Sequence, residues 1–159
     1  MSRQTMQTRP AGAGDIETLL SMMRNFYQED RIVYVEKRQR RGLSALLSDP
    51  WYGVILLFSG EDGVPAGYAI VTVGFTVEHG GRYALLDELY LSPVVRGQGW
   101  GGVALDQVTA WARQAGVEAL RLEVHDHNPK AKAIYLKVGF VEDHRATLTR
   151  WLHSESAGG

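Results

Sequence analysis

The feature that most constrains the fold is a glycine-rich connection between a strand-like segment and a helix-like segment. Residues 83–91, YALLDELYL, have the character of a strand, and residues 101–115, GGVALDQVTAWARQA, have the apolar repeat of a helix. Between them, residues 97–102 read GQGWGG, the pattern G-x-G-x-x-G. Glycines at a helix entry let the backbone approach a ligand closely, and the free N–H groups of the first turn face an anion. The sequence therefore indicates a phosphate-bearing ligand or, alternatively, a turn required only for tight packing.

Two phosphate-binding classes fit this connection poorly. An NTP-binding P-loop needs Gly-Lys followed by Ser or Thr, and this tripeptide does not occur in the chain. A dinucleotide-binding turn follows its strand directly, whereas SPVVR separates Leu91 from Gly97 here. The acidic residue about 20 positions on, Glu118, lies near the start of the next predicted strand, where a ribose partner would not lie. An NAD-binding oxidoreductase is therefore disfavoured.

The hydrophobic periodicity predicts seven strands and four helices. A chain of 159 residues suits one domain, and we expect a single domain over residues 1–153 with a disordered tail at 154–159. The predicted strands cover residues 5–9, 52–59, 66–78, 83–91, 117–125, 139–144 and 147–152, and the predicted helices cover residues 16–28, 35–49, 101–115 and 129–138.

Charge and composition narrow the classes of function. The formal net charge of −1 gives no reason to propose nucleic acid or an anionic membrane as a partner. The basic run at residues 37–41 indicates a nucleic-acid patch or, more often, a solvated helix face whose charge neighbouring acids cancel. The chain has no cysteine, which excludes disulfides and thiol catalysis. No apolar signal segment opens the chain and the longest apolar run is short, so we expect a cytoplasmic protein.

A further template matches the loop and extends beyond it. Residues 96–101, RGQGWG, match R/Q-x-x-G-x-G/A, which resembles the acetyl-CoA loop of the GNAT superfamily of N-acetyltransferases. Residues 128–140, NPKAKAIYLKVGF, resemble that family's N-x-x-A-x-x-x-Y-x-x-x-G-F segment, and the likeness covers nearly the whole chain. The resemblance implies an α/β fold with a mixed, mostly antiparallel sheet of about seven strands flanked by about four helices. It also implies transfer of acetyl from acetyl-CoA to a primary amine by direct attack in a ternary complex.

The resemblance implies a coenzyme site formed mainly by backbone groups. In the family, the loop amides hold the coenzyme A pyrophosphate, and the splayed strand before the loop pairs with the pantetheine arm. The corresponding residues are Leu89, Tyr90, Leu91, Arg96, Gly97, Gln98, Gly99, Trp100, Gly101 and Gly102. We expect Trp100 to point into the core and Arg96 to reach a phosphate by its side chain or its amide. Asn128 matches a polar contact to the coenzyme, a helix N-cap, or both.

The reaction needs a base for the amine and an acid for the leaving thiolate. The resemblance implies that Tyr135, which faces the coenzyme in the family, is the acid. Three carboxylates are candidate bases, namely Asp87, Glu88 and Glu123, and each is equally typical of a salt bridge or a solvated site. Strand alternation predicts that Asp87 and Glu88 point to opposite faces, with Glu88 on the face of Leu86. A water relay to the amine would require none of the three.

The acceptor pocket is implied to lie on the first two helices and on the turn between the third and fourth strands. The candidates are Phe26, Tyr27, Glu29, Phe75 and Glu78, each of which alone is also typical of ordinary surface packing. Aromatic rings combined with acids suit a cationic amine. The expected partner is a small-molecule or peptide amine, with neither nucleic acid nor membrane, and homodimers are frequent in the family.

Two further hypotheses concern a protein without catalytic activity and a metal site. A non-catalytic acyl-CoA-binding sensor of the same fold would keep the loop and dispense with the acid and base. A metal site is not expected, because the His125 and His127 pair has no third ligand nearby in sequence.

Overall fold

The fold is built on one mixed sheet of five strands. A computed structural model of the chain describes residues 4–153. The strands are β1 (Gln7–Pro10), β2 (Gly53–Ser59), β3 (Pro65–Thr76), β4 (Gly81–Leu91) and β5 (Leu120–Leu122), and the helices are α1 (Ile16–Glu29), α2 (Glu36–Ser48), α3 (Trp100–Gln114) and α4 (Pro129–Lys137). The sheet order is β1-β2-β3-β4-β5, with antiparallel pairing from β1 to β4 and parallel pairing of β5 to β4. The expected mixed, mostly antiparallel sheet and the four helices are confirmed.

Helices α1 and α2 cover one face of the sheet. Leu19, Leu20 and Met23 of α1 are buried against side chains of β2, β3 and β4, and Leu43 of α2 joins the same cluster. Burying a Leu or Met side chain contributes about 1.5–3 kcal/mol to folding, so this layer is a main source of stability. Helix α3 packs against β3 and β4, and its buried residues include Ala104 and Val108.

A β-bulge interrupts the pairing of β3 with β4. Ile70 pairs with Glu88, while the next residue of β3, Val71, pairs with Leu86, so Asp87 is the extra residue. Because directly paired residues share a face and neighbours alternate, Glu88 and Leu86 lie on opposite faces. The prediction that these two share a face is therefore wrong. Strict alternation fails here because one inserted residue reverses the phase of every position beyond it.

The ladder between β4 and β5 is short. It contains the pairs Ala84–Leu120, Leu85–Arg121 and Leu86–Leu122, and within the described residues it ends there. In the part of the chain that the structure describes, the ladder with β5 therefore does not extend to Leu89, Tyr90 and Leu91, the stretch that leads to the glycine loop.

The expected number of strands is wrong. The structure assigns no strand to residues 139–144 or 147–152, and β5 covers only three of the nine residues predicted for it. Both predicted segments are only six residues long, and His144 has φ 50°, a left-handed conformation that interrupts an extended chain. A strand exists only through pairing with a neighbour, which periodicity alone does not supply.

The chain divides into two compact units. The first extends to Leu122 and holds the sheet with α1, α2 and α3; the second begins at Glu123 and holds α4. The single domain over residues 1–153 stays a prediction, and the predicted tail at 154–159 lies outside the described residues. None of the helices in residues 4–153 combines the length and the apolar character that a membrane crossing requires.

Candidate active site

The glycine loop between β4 and α3 contains two kinds of glycine, which differ in backbone conformation. Gly97 and Gly99 have φ 75° and φ 85°, the left-handed region that residues with a side chain adopt only at a cost. Gly101 and Gly102 lie in the first turn of α3, where no such constraint applies. A Cβ added at either would meet no atom within 4 Å in the described part of the chain. Intramolecular packing therefore does not account for these two glycines, and the space above the helix terminus is open.

Side chains of the loop turn inward and fix its backbone. The Trp100 side chain is only 2% exposed, and its indole Nε1 donates to the backbone oxygen of Gln4 at 3.1 Å. The side-chain amide of Gln98 donates through Nε2 to the backbone oxygen of Val94 at 3.1 Å. The inward orientation expected for Trp100 is confirmed. The loop thus presents backbone rather than side chains, and the first N–H groups of α3 have no partner within the helix.

Arg96 is engaged within the chain. Its Nε donates to the backbone oxygen of Leu91 at 2.8 Å, and its Nη2 lies 2.7 Å from a carboxylate oxygen of Glu29 on α1. The Arg96 amide donates to the backbone oxygen of Pro93 at 3.3 Å. Both groups that were expected to reach a phosphate therefore have partners here, and the side chain ties the end of β4 to the end of α1.

Glu88 is the carboxylate that the tertiary structure singles out. Each of its oxygens accepts a hydrogen bond from a different phenol: Oε2 from the Tyr27 hydroxyl at 2.7 Å and Oε1 from the Tyr68 hydroxyl at 2.8 Å. The two tyrosines are 7% and 0% exposed. The carboxylate thus lies on the α1 face of the sheet, held between a helix and the neighbouring strand.

The surroundings of Glu88 favour proton exchange near neutral pH. Burial raises the pKa of Glu88 to about 7, the two phenol hydrogen bonds oppose that rise, and the neighbouring Asp87 charge adds to it. Burial and the Glu88 charge raise the pKa values of Tyr27 and Tyr68, so both phenols remain protonated donors. A carboxyl group with a pKa near the working pH is suited to general base catalysis.

Aromatic rings enclose this pocket. The Phe26 ring lies 5.7, 6.5 and 6.0 Å from the rings of Tyr27, Tyr68 and Tyr90, and Tyr34 packs edge-on against Tyr27 at 5.8 Å. Two of the predicted acceptor residues, Phe26 and Tyr27, therefore lie at Glu88. Sequence reasoning missed Tyr68. Its only signal was a phenol in a strand of otherwise apolar character, two residues from the partner of Glu88.

The structure separates the other predicted acceptor residues from Glu88. Phe75 is five residues beyond Ile70, roughly 16 Å along β3, and the pairing places it on the opposite face. Its side chain is 70% exposed. Glu78 follows in the turn after β3, where its carboxylate lies 3.9 Å from His79. Asp87 is exposed at the bulge.

Three of the predicted site residues lie in the second unit, namely Glu123, Asn128 and Tyr135. Asn128 is the N-cap of α4, and its Oδ1 accepts the Ala131 N–H at 3.2 Å. The Tyr135 ring packs edge-on against Phe140 at 5.8 Å. Glu123 is exposed. His125 and His127 stack at 5.0 Å, and residues 4–153 contain no group of three or more side chains able to hold a metal ion.

Comparison with known proteins places these features in a family. The model of the acetyltransferase (GNAT) family matches residues 19–140, which include the glycine loop and α4. Thialysine N-epsilon-acetyltransferase of Bos taurus is 29% identical over 139 residues, covering 82% of this chain and 81% of that protein.

Solved structures share the fold. An integron cassette protein from the mobile metagenome of Cole Harbour Salt Marsh has a TM-score of 0.80 and 33% identity, covering 92% of this chain and 91% of that one. A predicted acetyltransferase of Clostridium acetobutylicum, solved with acetyl-CoA, has a TM-score of 0.77 and 20% identity, covering 91% and 96%.

Proposed function

Because the chain belongs to the acetyltransferase (GNAT) family, we propose that it transfers the acetyl group of acetyl-CoA to the primary amine of a small cationic molecule. The protein is an N-acetyltransferase, and acetyl-CoA is its co-substrate. The observation that carries the chemistry is Glu88, a carboxylate with a pKa near neutrality on the strand that leads into the glycine loop.

The residues of the loop fit the coenzyme. Gly97 and Gly99 bring the backbone into a left-handed turn, and Gly101 and Gly102 leave open space at the terminus of α3. We assign the pyrophosphate to the backbone N–H groups of residues 97–102, because such concave sets of amides and a helix N-terminus favour an anion. The Arg96 side chain supports this loop through Glu29 instead of serving as the principal phosphate ligand.

The edge of β4 that faces β5 supports the rest of the coenzyme assignment. Beyond Leu86 the ladder to β5 has ended, so backbone groups of Leu89 and Tyr90 are placed to pair with an extended ligand, as an added strand does. Leu91 contributes less, since its carbonyl already accepts a hydrogen bond from Arg96. Asn128 is assigned first as the N-cap of α4.

Glu88 is the proposed base. The acceptor reaches the enzyme as an ammonium ion and must lose a proton before its nitrogen can form the new bond. Glu88 is favoured over Asp87, which is exposed at the bulge, and over Glu123, which is exposed after β5. The neighbouring rings of Phe26 and Tyr27 provide the aromatic surface that attracts a cation.

Tyr135 is the proposed acid, on the strength of its match to the family's helix segment. Acetyl-CoA supplies the activated acyl group: a carbon–nitrogen bond forms, the carbon–sulfur bond breaks, and coenzyme A leaves. Glu88 takes the first proton of the ammonium ion before attack, and the Tyr135 hydroxyl gives a proton to the departing sulfur. The nitrogen of the adduct loses a second proton as the carbon–sulfur bond breaks, and this proton restores the Tyr135 hydroxyl, so protons and electrons balance. The chain has no cysteine to carry the acetyl group, which favours direct transfer.

A panel of amines tests the function. We expect acetyl-CoA to raise the melting temperature by several degrees, because it binds the folded state, and NAD to leave it unchanged. Thiol release from acetyl-CoA should then depend on a small cationic amine. Stabilisation by acetyl-CoA without thiol release for any amine would favour the non-catalytic sensor, and stabilisation by NAD alone would refute the assignment.

Parallel substitutions test the assigned residues. Glu88→Gln and Tyr135→Phe should each lower kcat by roughly 10²–10⁴-fold, the usual contribution of one positioned base or acid, while the dissociation constant of acetyl-CoA changes little. Asp87→Asn and Glu123→Gln are the controls for the base and should retain most activity. Full activity of Glu88→Gln with the true acceptor would transfer the role to a water relay or another acid.

A further inference from the structure

The contacts of Tyr68 indicate a role that residue patterns did not. We propose that Tyr68 is a positioning residue that, together with Tyr27, holds both carboxylate oxygens of Glu88 in one orientation and keeps the ionised carboxylate available as the base. This inference rests on the proposed function, since it concerns how Glu88 performs its part of the acyl transfer.

The geometry fixes the carboxylate at both ends. Tyr68 donates to Oε1 at 2.8 Å and Tyr27 donates to Oε2 at 2.7 Å, from a strand and from a helix respectively. A carboxylate with one donor on each oxygen cannot rotate about its last bond without breaking a hydrogen bond. The remaining lone pairs of the two oxygens are therefore presented in a constant direction.

Packing alone does not explain a tyrosine at this position. The Tyr68 ring is fully buried and contacts the rings of Tyr90 at 5.8 Å and Phe26 at 6.5 Å. Phenylalanine would fill the same space without burying a hydroxyl, which is costly unless the hydroxyl is hydrogen-bonded. The hydrogen bond that the structure gives this hydroxyl is the one to Glu88. Its function is thus to be sought in Glu88.

Burial also separates the roles of the two phenols. Tyr68 is 0% exposed, so its hydroxyl acts on the reaction through Glu88, which defines a positioning residue. Tyr27 is slightly exposed and packs against Tyr34 of the loop between α1 and α2. Of the two tyrosines, it is the one closer to solvent.

The titratable groups around Glu88 come from three elements. They are Tyr27 of α1, Tyr68 of β3 and Asp87 of β4; Tyr90 lies next to Tyr68, and from α2 the neutral Gln39 reaches Tyr27. The phenols donate to the charged form of Glu88 and therefore favour its ionisation, whereas burial and Asp87 oppose it. Removing one phenol shifts the balance toward the protonated acid, which cannot act as a base.

The pH dependence of turnover tests whether removing the Tyr68 hydroxyl favours the protonated form of Glu88. In Tyr68→Phe the acidic limb of the kcat/KM profile should move to higher pH by about one unit, equivalent to a tenfold loss of carboxylate below that limb. Activity should recover toward the wild-type value on the high-pH side, and KM for acetyl-CoA should not change. Tyr34→Phe is the matched control, since it removes a phenol of the same aromatic cluster that does not bind Glu88. A Tyr68→Phe enzyme that loses rate equally at every pH would overturn the proposal.

A direct titration separates this proposal from the proposed function. The ¹³C carboxyl signal of Glu88, identified by its loss in Glu88→Gln, should titrate at higher pH in Tyr68→Phe than in wild type and Tyr34→Phe. An unmoved midpoint overturns the positioning role even if the protein acetylates amines. A raised midpoint with no turnover on any amine refutes the acyl transfer but supports the contact. Should Tyr68→Phe fail to fold, Tyr27→Phe removes the other donor and should raise the midpoint likewise.

Discussion

The glycine loop and the Glu88 pocket belong to the same strand–loop–helix unit but differ in what fills the space around them. At Gly101 and Gly102 an added Cβ would meet nothing within 4 Å in the described residues. At Glu88, by contrast, both carboxylate oxygens are bound by buried phenols, and aromatic rings enclose them. The start of α3 therefore borders open space, whereas side chains of the chain itself surround the Glu88 carboxylate.

The two regions also differ in how far apart their residues lie along the chain. All the loop glycines lie within six consecutive residues. The partners of Glu88 are 61 and 20 positions away along the chain. A substitution in the loop should act on ligand binding first, and a substitution in the pocket should act on protonation and stability first.

The largest expected effect is on the loop. Gly99→Val places a branched side chain at φ 85° and should weaken acetyl-CoA binding by about 100-fold or more, because losing two amide–phosphate hydrogen bonds of about 1.5 kcal/mol each has that effect. Isothermal titration of acetyl-CoA measures it. Gly63→Val is the matched control, since Gly63 has φ 73° and equally open surroundings in the turn after β2. That variant should lose comparable stability and bind acetyl-CoA normally; equal affinities in the two variants would show that the loop is only structural.

A smaller effect is expected at Glu88, on the free energy of unfolding. The folded-state pKa of Glu88, about 7, lies above the ordinary value of 4.5, so its burial costs no stability at low pH and destabilises the fold as pH rises through about 7. Glu88→Gln carries no such charge and should gain stability relative to wild type, on the order of 2 kcal/mol more at pH 8 than at pH 5. Urea unfolding of both proteins at the two pH values measures this. A difference independent of pH would mean that Glu88 does not titrate in this range.

The smallest effect is expected at two helical glycines, one at the coenzyme loop and one away from it. Gly102→Ala in α3 and Gly42→Ala in α2 both replace a helical glycine in open surroundings, and each should add up to about 1 kcal/mol to the free energy of unfolding. Only the first should weaken acetyl-CoA binding, by several-fold, because its methyl group would enter the space assigned to the pyrophosphate. Unchanged affinity in Gly102→Ala would place the coenzyme away from the first turn of α3.

The sequence predicted much of the first unit because its signals are local. The apolar, β-branched and aromatic residues of β2, β3 and β4 and the apolar stripe of α1 are local signals of strands and of a helix, so element types and most bounds followed from them. The prediction failed where one residue altered the phase, as Asp87 does in β4, and where a strand would need a partner, as at residues 139–144.

Residue types at fixed spacing along the chain predicted the family, the four helices, the antiparallel character of the sheet and the position of the glycine loop. The folded chain was needed to learn which acid is buried, which phenols bind it, and that Arg96 is directed to Glu29. The physical reason is that desolvation and hydrogen bonding depend on distances across elements. A register set by one bulge brings Tyr68 and Tyr27 to Glu88, and no spacing along the chain encodes that approach.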